Sequence, residues 1–331
     1  MRSQSGFAAY DAWAWTLQGQ SARPWPAKYR VLIMGLGPNV LALYRQMKLL
    51  GAFAGITDII ELGSQGVWCP DRRLLTGLFE AFGKPVPPAH ELRPYINSNG
   101  TGHASSRHLH EHLGFHYNCI DLDGNFGALQ LDLNFDPAPP EFCNRYGLTT
   151  NHGTTEHLLN QLNAFKVIHD LTKPGGLMLH GLPFTVHLDH GFFNYQPNFF
   201  EALARYNAYK NLGIWVALDW TLSSFVPWEP RLLDFLMING KTTHLLLVLQ
   251  QKTHDTEFCV PIQGIYETML PEVATSRYQL VVDGEYYSGH RFAQVIHAPS
   301  SNRTSIDDYS ARELAKELAG RVKRRFLRRR L

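Results

Sequence analysis

The chain has 331 residues, 44% of them hydrophobic and 18% charged, with a formal net charge of +2. That is enough apolar material for one large core, or a core with an appendage. A balance so near neutral excludes a global field that would draw nucleic acid or an acidic partner, and no apolar run reaches the roughly 18 residues of a membrane span.

The four cysteines, Cys69, Cys119, Cys143 and Cys259, form no C-x-x-C pair. They read as reduced, buried residues of a cytoplasmic protein. The first residues, with Gln4, Tyr10 and Asp11, lack the order of a signal peptide. Residues 1–28 carry Trp13, Trp15 and Trp25 and read as an arm over a core. Tyr29–Met34 is a short apolar run leading into Gly35-Leu36-Gly37-Pro38. A helix is predicted over Asn39–Leu50, with Pro38 at its start and Gly51 at its stop.

Ile59 and Ile60 predict a buried strand with Glu61 at its carboxyl end, and Gly63 and Gly66 then allow a tight turn. A helix follows over Asp71–Phe82, then a polar, Pro-rich loop through Gly102, then a His-rich helix near Ala104–Leu113. Strands are predicted at Tyr117–Asp121, Ala128–Asp132 and Tyr146–Thr150. The spacing of Leu158, Leu159, Leu162, Phe165 and Ile168 predicts a helix over Thr155–Thr172, ended by Lys173-Pro174-Gly175-Gly176. Leu177–Leu182 reads as a strand, Asn198–Lys210 as a helix, and Leu212–Leu218 and Thr243–Gln250 as strands. Such alternation argues a mostly parallel sheet covered on both faces. Beyond it, Tyr278–Ser288 reads as a hairpin. Ser305–Asp308 opens a last helix that ends in Arg321, Lys323, Arg324, Arg325, Arg328, Arg329 and Arg330.

Two glycine turns compete for a ligand. Gly35-Leu36-Gly37-Pro38-Asn39-Val40 looks like the opening of a dinucleotide fingerprint, with Glu61 ending the next strand; that would make an NAD(P)-dependent oxidoreductase. Against it, Val40 stands at the third glycine position and Pro38 removes a donor where pyrophosphate needs one. The second turn, Glu61-Leu62-Gly63-Ser64-Gln65, is followed by strands ending in Asp121 and Asp132 and by Asn151-His152-Gly153. Acids on successive strand ends suit a nucleoside without phosphates, one carboxylate accepting from the ribose hydroxyls and the next from the adenine amino group.

These segments resemble the class I S-adenosylmethionine-dependent methyltransferases. Glu61–Gln65 resembles their glycine motif, Ile120–Gly124 the second-strand acid, Leu131-Asp132-Leu133 the third-strand acid, Leu148–His157 the fourth-strand motif and Pro174–Met178 the turn into strand five. Bacterial members with an Asn-His/Phe-Gly-Thr-Thr-Glu-His segment and a His-Gly-Phe-Phe-Asn-Tyr segment, here His190–Tyr195, are the most similar. The resemblance covers about residues 40–250. It departs at Ser64-Gln65, where a second glycine is usual. It departs also in the roughly 55 residues between Gly66 and Asp121, which require an insertion near 84–102; a loop that long suits a lid. Asp121 is the preferred ribose acid and Asp123 the alternative.

The resemblance implies a Rossmann-like, mostly parallel seven-stranded α/β sheet over 39–253, with helices on both faces. An N-terminal arm (1–38) and a C-terminal extension (254–331) flank it. The implied cofactor is S-adenosyl-L-methionine, contacted by Glu61, Gly63, Ser64, Gln65, Asp121, Asp132 and Asn151. The implied activity is methyl transfer to a small molecule or sugar; a non-catalytic binding protein on the same fold is the remaining alternative. A base is needed only where the acceptor must lose a proton, and His152, Glu156 and His157 are its candidates. His190 and Tyr195 are read as lining the acceptor cavity. His108 and His112 share a helix face, with His103, His110 and His116 nearby, yet no H-E-x-x-H pattern is present, and no metal is expected. The basic C-terminus suits a solvated helix end, or a peripheral contact with anionic lipid. A contact with nucleic-acid phosphates is a third reading, though no nucleic acid is expected as a partner.

Overall fold

The structure, a computed structural model, describes residues 35–96, 104–217, 223–232, 243–271 and 278. The arm and the apolar run before residue 35, the hairpin after 278 and the basic C-terminal helix lie outside the described residues.

The strands are β1 (Asp58–Leu62), β2 (Gly66–Val67), β3 (Ala104–Ser105), β4 (His116–Ile120), β5 (Tyr146–His152), β6 (Thr172–Thr185), β7 (Lys210–Ala217), β8 (Phe225–Pro227) and β9 (His244–Gln251). The helices are α1 (Pro38–Leu49), α2 (Arg72–Ala81), α3 (Ala89–Ile96), α4 (Ser106–Leu113), α5 (Gln161–Leu171), α6 (Pro197–Tyr206) and α7 (Gly264–Met269). Seven strands form one sheet in the order β4-β1-β5-β6-β9-β7-β8, and β2 pairs with β3 separately. β4, β1, β5 and β6 run parallel. β9 is antiparallel to both β6 and β7, and β8 is antiparallel to β7. The fold is thus a Rossmann-like α/β sheet, mostly parallel. None of its described helices is long and apolar enough to cross a membrane.

Central strands read as continuous apolar runs because each face of the sheet is covered. In β9, Leu245, Leu247 and Leu249 join the core under α1, α2 and α4, while Leu246 and Val248 join the core under α5 and α6. The alternation is the period-two geometry of a strand. Asp71 caps α2 through bonds from Arg73 N and Leu74 N. The chain runs from β1 to β4 on one side, then returns to lay β5 on the other side of β1. That reversal is a topological switch point, and its crevice lies beyond the carboxyl ends of β1 and β5.

Several expectations are corrected. The strand expected at 128–132 reduces to one bridge between Leu129 and Ile120. Asp132 Oδ1 accepts from Asn134 N, and Asp136 Oδ2 accepts from Asp132 N, so side chains take the donors a strand would pair. A cavity of about 290 Å³ remains beside β4, lined by Ile60, Asn118, Cys119, Leu129, Phe142 and Tyr146 among others. The helix expected from Thr155 starts only at Gln161, with Asn160 capping Asn163 N at 3.1 Å; Leu159 and Leu162 are exposed. The helix expected to reach Lys210 ends at Tyr206, and Lys210 opens β7. The loop expected at 84–102 contains α3, which buries Leu92 and Tyr95 and bonds Cys69 N through Tyr95 O at 2.7 Å.

Candidate functional site

The register brings the key strand ends together. Leu62 stands opposite Ile120 of β4 on one side and Asn151 of β5 on the other. Gly63, Asp121 and Asn151 therefore share one edge of the sheet. Gly63 has φ +79°, a conformation open to glycine. Its N donates to Ile120 O at 2.8 Å. Asp121 Oδ2 accepts from Ser64 N at 2.7 Å and from Ser64 Oγ at 2.8 Å. The turn is stitched to β5 as well: Thr154 Oγ1 donates to Leu62 O at 2.7 Å, and Gln65 Nε2 donates to Thr154 Oγ1 at 3.0 Å.

Glu61 lies below this edge and is fully buried. Its Oε2 accepts from Tyr117 Oη at 2.5 Å, from Ser106 Oγ, and from Gln65 N at 3.4 Å. Burial raises its pKa to about 7, against the lowering effect of those bonds. Glu61 thus ties β1 to α4 and β4 from within the core.

Asn151 is buried and turned inward: Nδ2 donates to Thr155 Oγ1 at 2.9 Å, and Oδ1 accepts from Thr155 N at 3.3 Å. His152 is also buried, with neither ring nitrogen hydrogen-bonded. Burial, then the neighbouring His110 and His180, lowers its pKa to about 3. It is a neutral imidazole at pH 7, packed 6.3 Å from the Tyr44 ring. Asp132 sits in the turn described above and belongs to no strand.

Past β5 the chain makes a short 3-10 turn, Thr155–His157. It carries Glu156 into the protein, with both carboxylate oxygens buried and without a hydrogen bond. His190 Nε2 lies 3.6 Å from Glu156 Oε1, and His157 Nε2 lies 4.0 Å from the same oxygen. The segment bringing His190 there is bent: Val186 and Asp189 have φ +59° and +55°, uncommon for Asp and an outlier for a β-branched residue. It is anchored by Phe192 N and Phe193 N, which donate to Glu156 O at 2.7 and 3.2 Å. Leu188 and Phe192 flank His190 with apolar surface, 83% and 71% exposed. Tyr195 is buried; it donates to Gln161 Oε1 at 2.6 Å and lies 2.9 Å from Thr155 Oγ1, and burial raises its pKa. It props the 155–161 segment from beneath.

The first glycine turn has a different surrounding. Leu36 bridges Val67, and Leu36 N donates to Gly66 O at 3.0 Å. Pro38, Asn39, Val40 and Leu41 at the start of α1 are all buried. That end of α1 is buried in the protein. In the His-rich helix, His108 is exposed and His112 Nε2 lies 2.9 Å from Pro85 O. The grouping that sequence spacing misses is Glu156 with His190, which are distant in the chain.

A scan of protein families gives no match, and no curated protein matches. Among solved structures the chain is similar to a SAM-dependent methyltransferase from Archaeoglobus fulgidus, at 10% identity, covering 65% of this chain and 95% of that one, with a TM-score of 0.37. It is similar to the O-methyltransferase of a trans-AT PKS multienzyme of Brevibacillus brevis in complex with S-adenosyl-L-homocysteine (9%, 72% and 78%, TM-score 0.36). A third is the Burkholderia thailandensis 1,6-didemethyltoxoflavin-N1-methyltransferase with 1,6-didemethyltoxoflavin and S-adenosylhomocysteine (10%, 65% and 80%, TM-score 0.29). Likenesses of this size decide neither activity nor acceptor, which have to come from the site.

Proposed function

We propose that this chain binds S-adenosyl-L-methionine across the switch point between β1 and β5 and transfers its methyl group to a small-molecule or sugar acceptor. The observation that carries the reading is the shared edge: Leu62 is in register with both Ile120 and Asn151, so the Gly63 turn, Asp121 and the 151–157 segment face one crevice. The electrostatics support it. Asp121 stands at the turn, where the pyrophosphate of a dinucleotide would be repelled, whereas a ribose hydroxyl or a sulfonium cation is favoured. Of the segments that resemble class I methyltransferases, the Gly63 turn, Ile120-Asp121 and Asn151–His157 support this reading, whereas Pro174–Met178 lies at the opposite end of the sheet, where Leu177 pairs with Leu148.

In this reading Asp121 accepts from the ribose while holding Ser64, and the Gly63 turn carries the cofactor on its backbone. An acceptor atom attacks the methyl carbon in line; the new bond forms as the C–S bond breaks, and neutral S-adenosylhomocysteine leaves. The sulfonium is already activated, so holding the two reactants in contact in a dry pocket supplies most of the acceleration. Glu156, His157 and His190 meet the acceptor's polar atom, and Leu188 and Phe192 its apolar part. His152, buried and neutral, shapes the floor. The nicotinamide reading is disfavoured by the packed start of α1.

Calorimetry with S-adenosylmethionine, S-adenosylhomocysteine and NADH tests the proposal. Binding of the first two and not of NADH is expected. Binding of NADH alone overturns it, and binding of none favours a non-catalytic protein on the same fold.

A further inference from the structure

Glu156 poses a physical problem. A carboxylate with no exposed surface and no hydrogen bond on either oxygen is costly, by several kcal/mol in real proteins. Nothing in the pocket donates to it within hydrogen-bond reach. What faces it are two imidazole nitrogens, His190 Nε2 at 3.6 Å and His157 Nε2 at 4.0 Å. The His190 nitrogen is itself buried and unpaired. The ligand atoms of these three residues all lie within 4.8 Å of one another. Donors bound to one zinc at about 2.0–2.2 Å in a tetrahedron are roughly 3.3–3.6 Å apart. Closing the observed spacing onto one ion therefore takes about an ångström of side-chain adjustment.

The surroundings fix this geometry. The His157 and His190 rings lie 5.0 Å apart at 66°, so both nitrogens converge on the carboxylate without stacking. Gly191 has no room for a side chain, since a Cβ there would stand 2.9 Å from Glu156 Cγ and from its carbonyl oxygen. The left-handed residue Asp189 turns the chain just before His190. The His157 side chain is 47% exposed, which leaves one side of the cluster open.

We propose that Glu156, His157 and His190 hold one zinc ion, with the open side left for a ligand oxygen. Two imidazoles and one carboxylate suit a transition metal better than magnesium or calcium, which prefer oxygen donors. Three protein ligands with a free position is the arrangement of a catalytic rather than a structural zinc. The consequence for the acceptor rests on the methyl-transfer reading above. The acceptor's hydroxyl oxygen coordinates the ion, its proton leaves to water at the exposed side, and the resulting alkoxide attacks the methyl carbon as the C–S bond breaks. This narrows the acceptor to a hydroxyl compound and assigns the three residues one joint task.

The test uses the full chain, stripped with a chelator, and two separate titrations: zinc chloride and S-adenosylhomocysteine. Cobalt(II) absorption reports the coordination. One zinc per chain is expected, with visible cobalt bands of a four- or five-coordinate site. Glu156→Gln and His190→Ala should each weaken zinc binding by more than the ~10–100-fold typical of losing an outer partner. His157→Ala, at a half-exposed position, keeps the test valid where the buried variants fail to fold. His108→Ala should leave zinc binding unchanged. Stripped wild type that binds no stoichiometric zinc overturns the proposal, as does binding that survives both Glu156→Gln and His157→Ala. Loss of S-adenosylhomocysteine binding with zinc retained would instead sink the methyl-transfer reading and leave the metal site standing.

Discussion

Asp121 holds Ser64 twice through one oxygen, its Oδ2 accepting from the Ser64 amide at 2.7 Å and from the Ser64 hydroxyl at 2.8 Å. One acid thus shapes the glycine turn and keeps its other oxygen, Oδ1, without a hydrogen bond to any described residue. Charge-assisted bonds are the stronger kind, and a carboxylate that both braces a loop and accepts from a ribose couples the two. Asp121→Ala should weaken S-adenosylhomocysteine binding by about 1–3 kcal/mol. Ser64→Ala removes one neutral donor and should cost about 0.5–1.5 kcal/mol. Isothermal calorimetry separates them; equal affinity in wild type and Asp121→Ala would remove Asp121 from the cofactor site.

Glu61 gives a pH signature. Its pKa rises from 4.5 in the unfolded chain to about 7 when buried. Between those values the unfolded chain has lost a proton that the folded chain keeps, so stability falls as pH rises through that window and levels off above it. The full span is about 3 kcal/mol. Glu61→Gln removes the window. Urea unfolding of both proteins from pH 4.5 to 8 should show wild type losing stability relative to the variant as pH rises. Parallel curves would mean Glu61 is ionised throughout.

Much of this edge is legible in the sequence, because strand ends and a glycine turn are local features. Ile59–Glu61 and Tyr117–Asp121 announce themselves by apolar runs that stop at an acid, and Gly63 by the turn that follows. What stays hidden is where local side chains compete with the backbone. Asp132 and Asp136 take up amides in a turn where Leu129 and Leu131 suggest a strand. Asn160 caps a helix that the leucine spacing starts six residues too early. The contact between Glu156 and His190 has no local signal at all. It is made by a bend at Val186–Asp189 that puts the β-branched Val186 at φ +59°, against its propensity, and bends of that kind cluster at functional sites.

Five buried histidines set the opposite acid dependence. Burial lowers the pKa of His110, His169 and His187 to about 4 and those of His152 and His180 to about 3, from 6.5. A base with a depressed folded pKa contributes stability that is full above 6.5 and is lost as pH falls below it. Together they outweigh Glu61, so wild type should lose stability as pH falls from 6.5 towards 5. Glu61→Gln, without the opposing Glu61 carboxyl, should fall more steeply still. Flat stability from pH 6.5 to 5 would mean these histidines reach solvent in the native state.

Gly63→Ala probes the turn itself. At φ +79° an added Cβ is strained by the backbone alone. It would also stand 2.3 Å from Gln65 Nε2 and 2.6 Å from Thr154 Oγ1. Gln65 is the end of a flexible side chain and can swing away. Thr154 cannot follow freely, because its hydroxyl is committed to Leu62 O at 2.7 Å. The strain should destabilise the fold by about 1–3 kcal/mol. It should also open the stitch between the turn and β5, lowering cofactor affinity beyond what the stability loss alone produces. Adding Gln65→Ala removes the nearer clash and leaves the Thr154 clash and the backbone strain. The double variant should therefore recover part of the stability but not the wild-type affinity, as read by thermal unfolding and calorimetry on the same samples. Full recovery of both would show that Thr154 yields, and that the turn does not depend on its tie to Leu62.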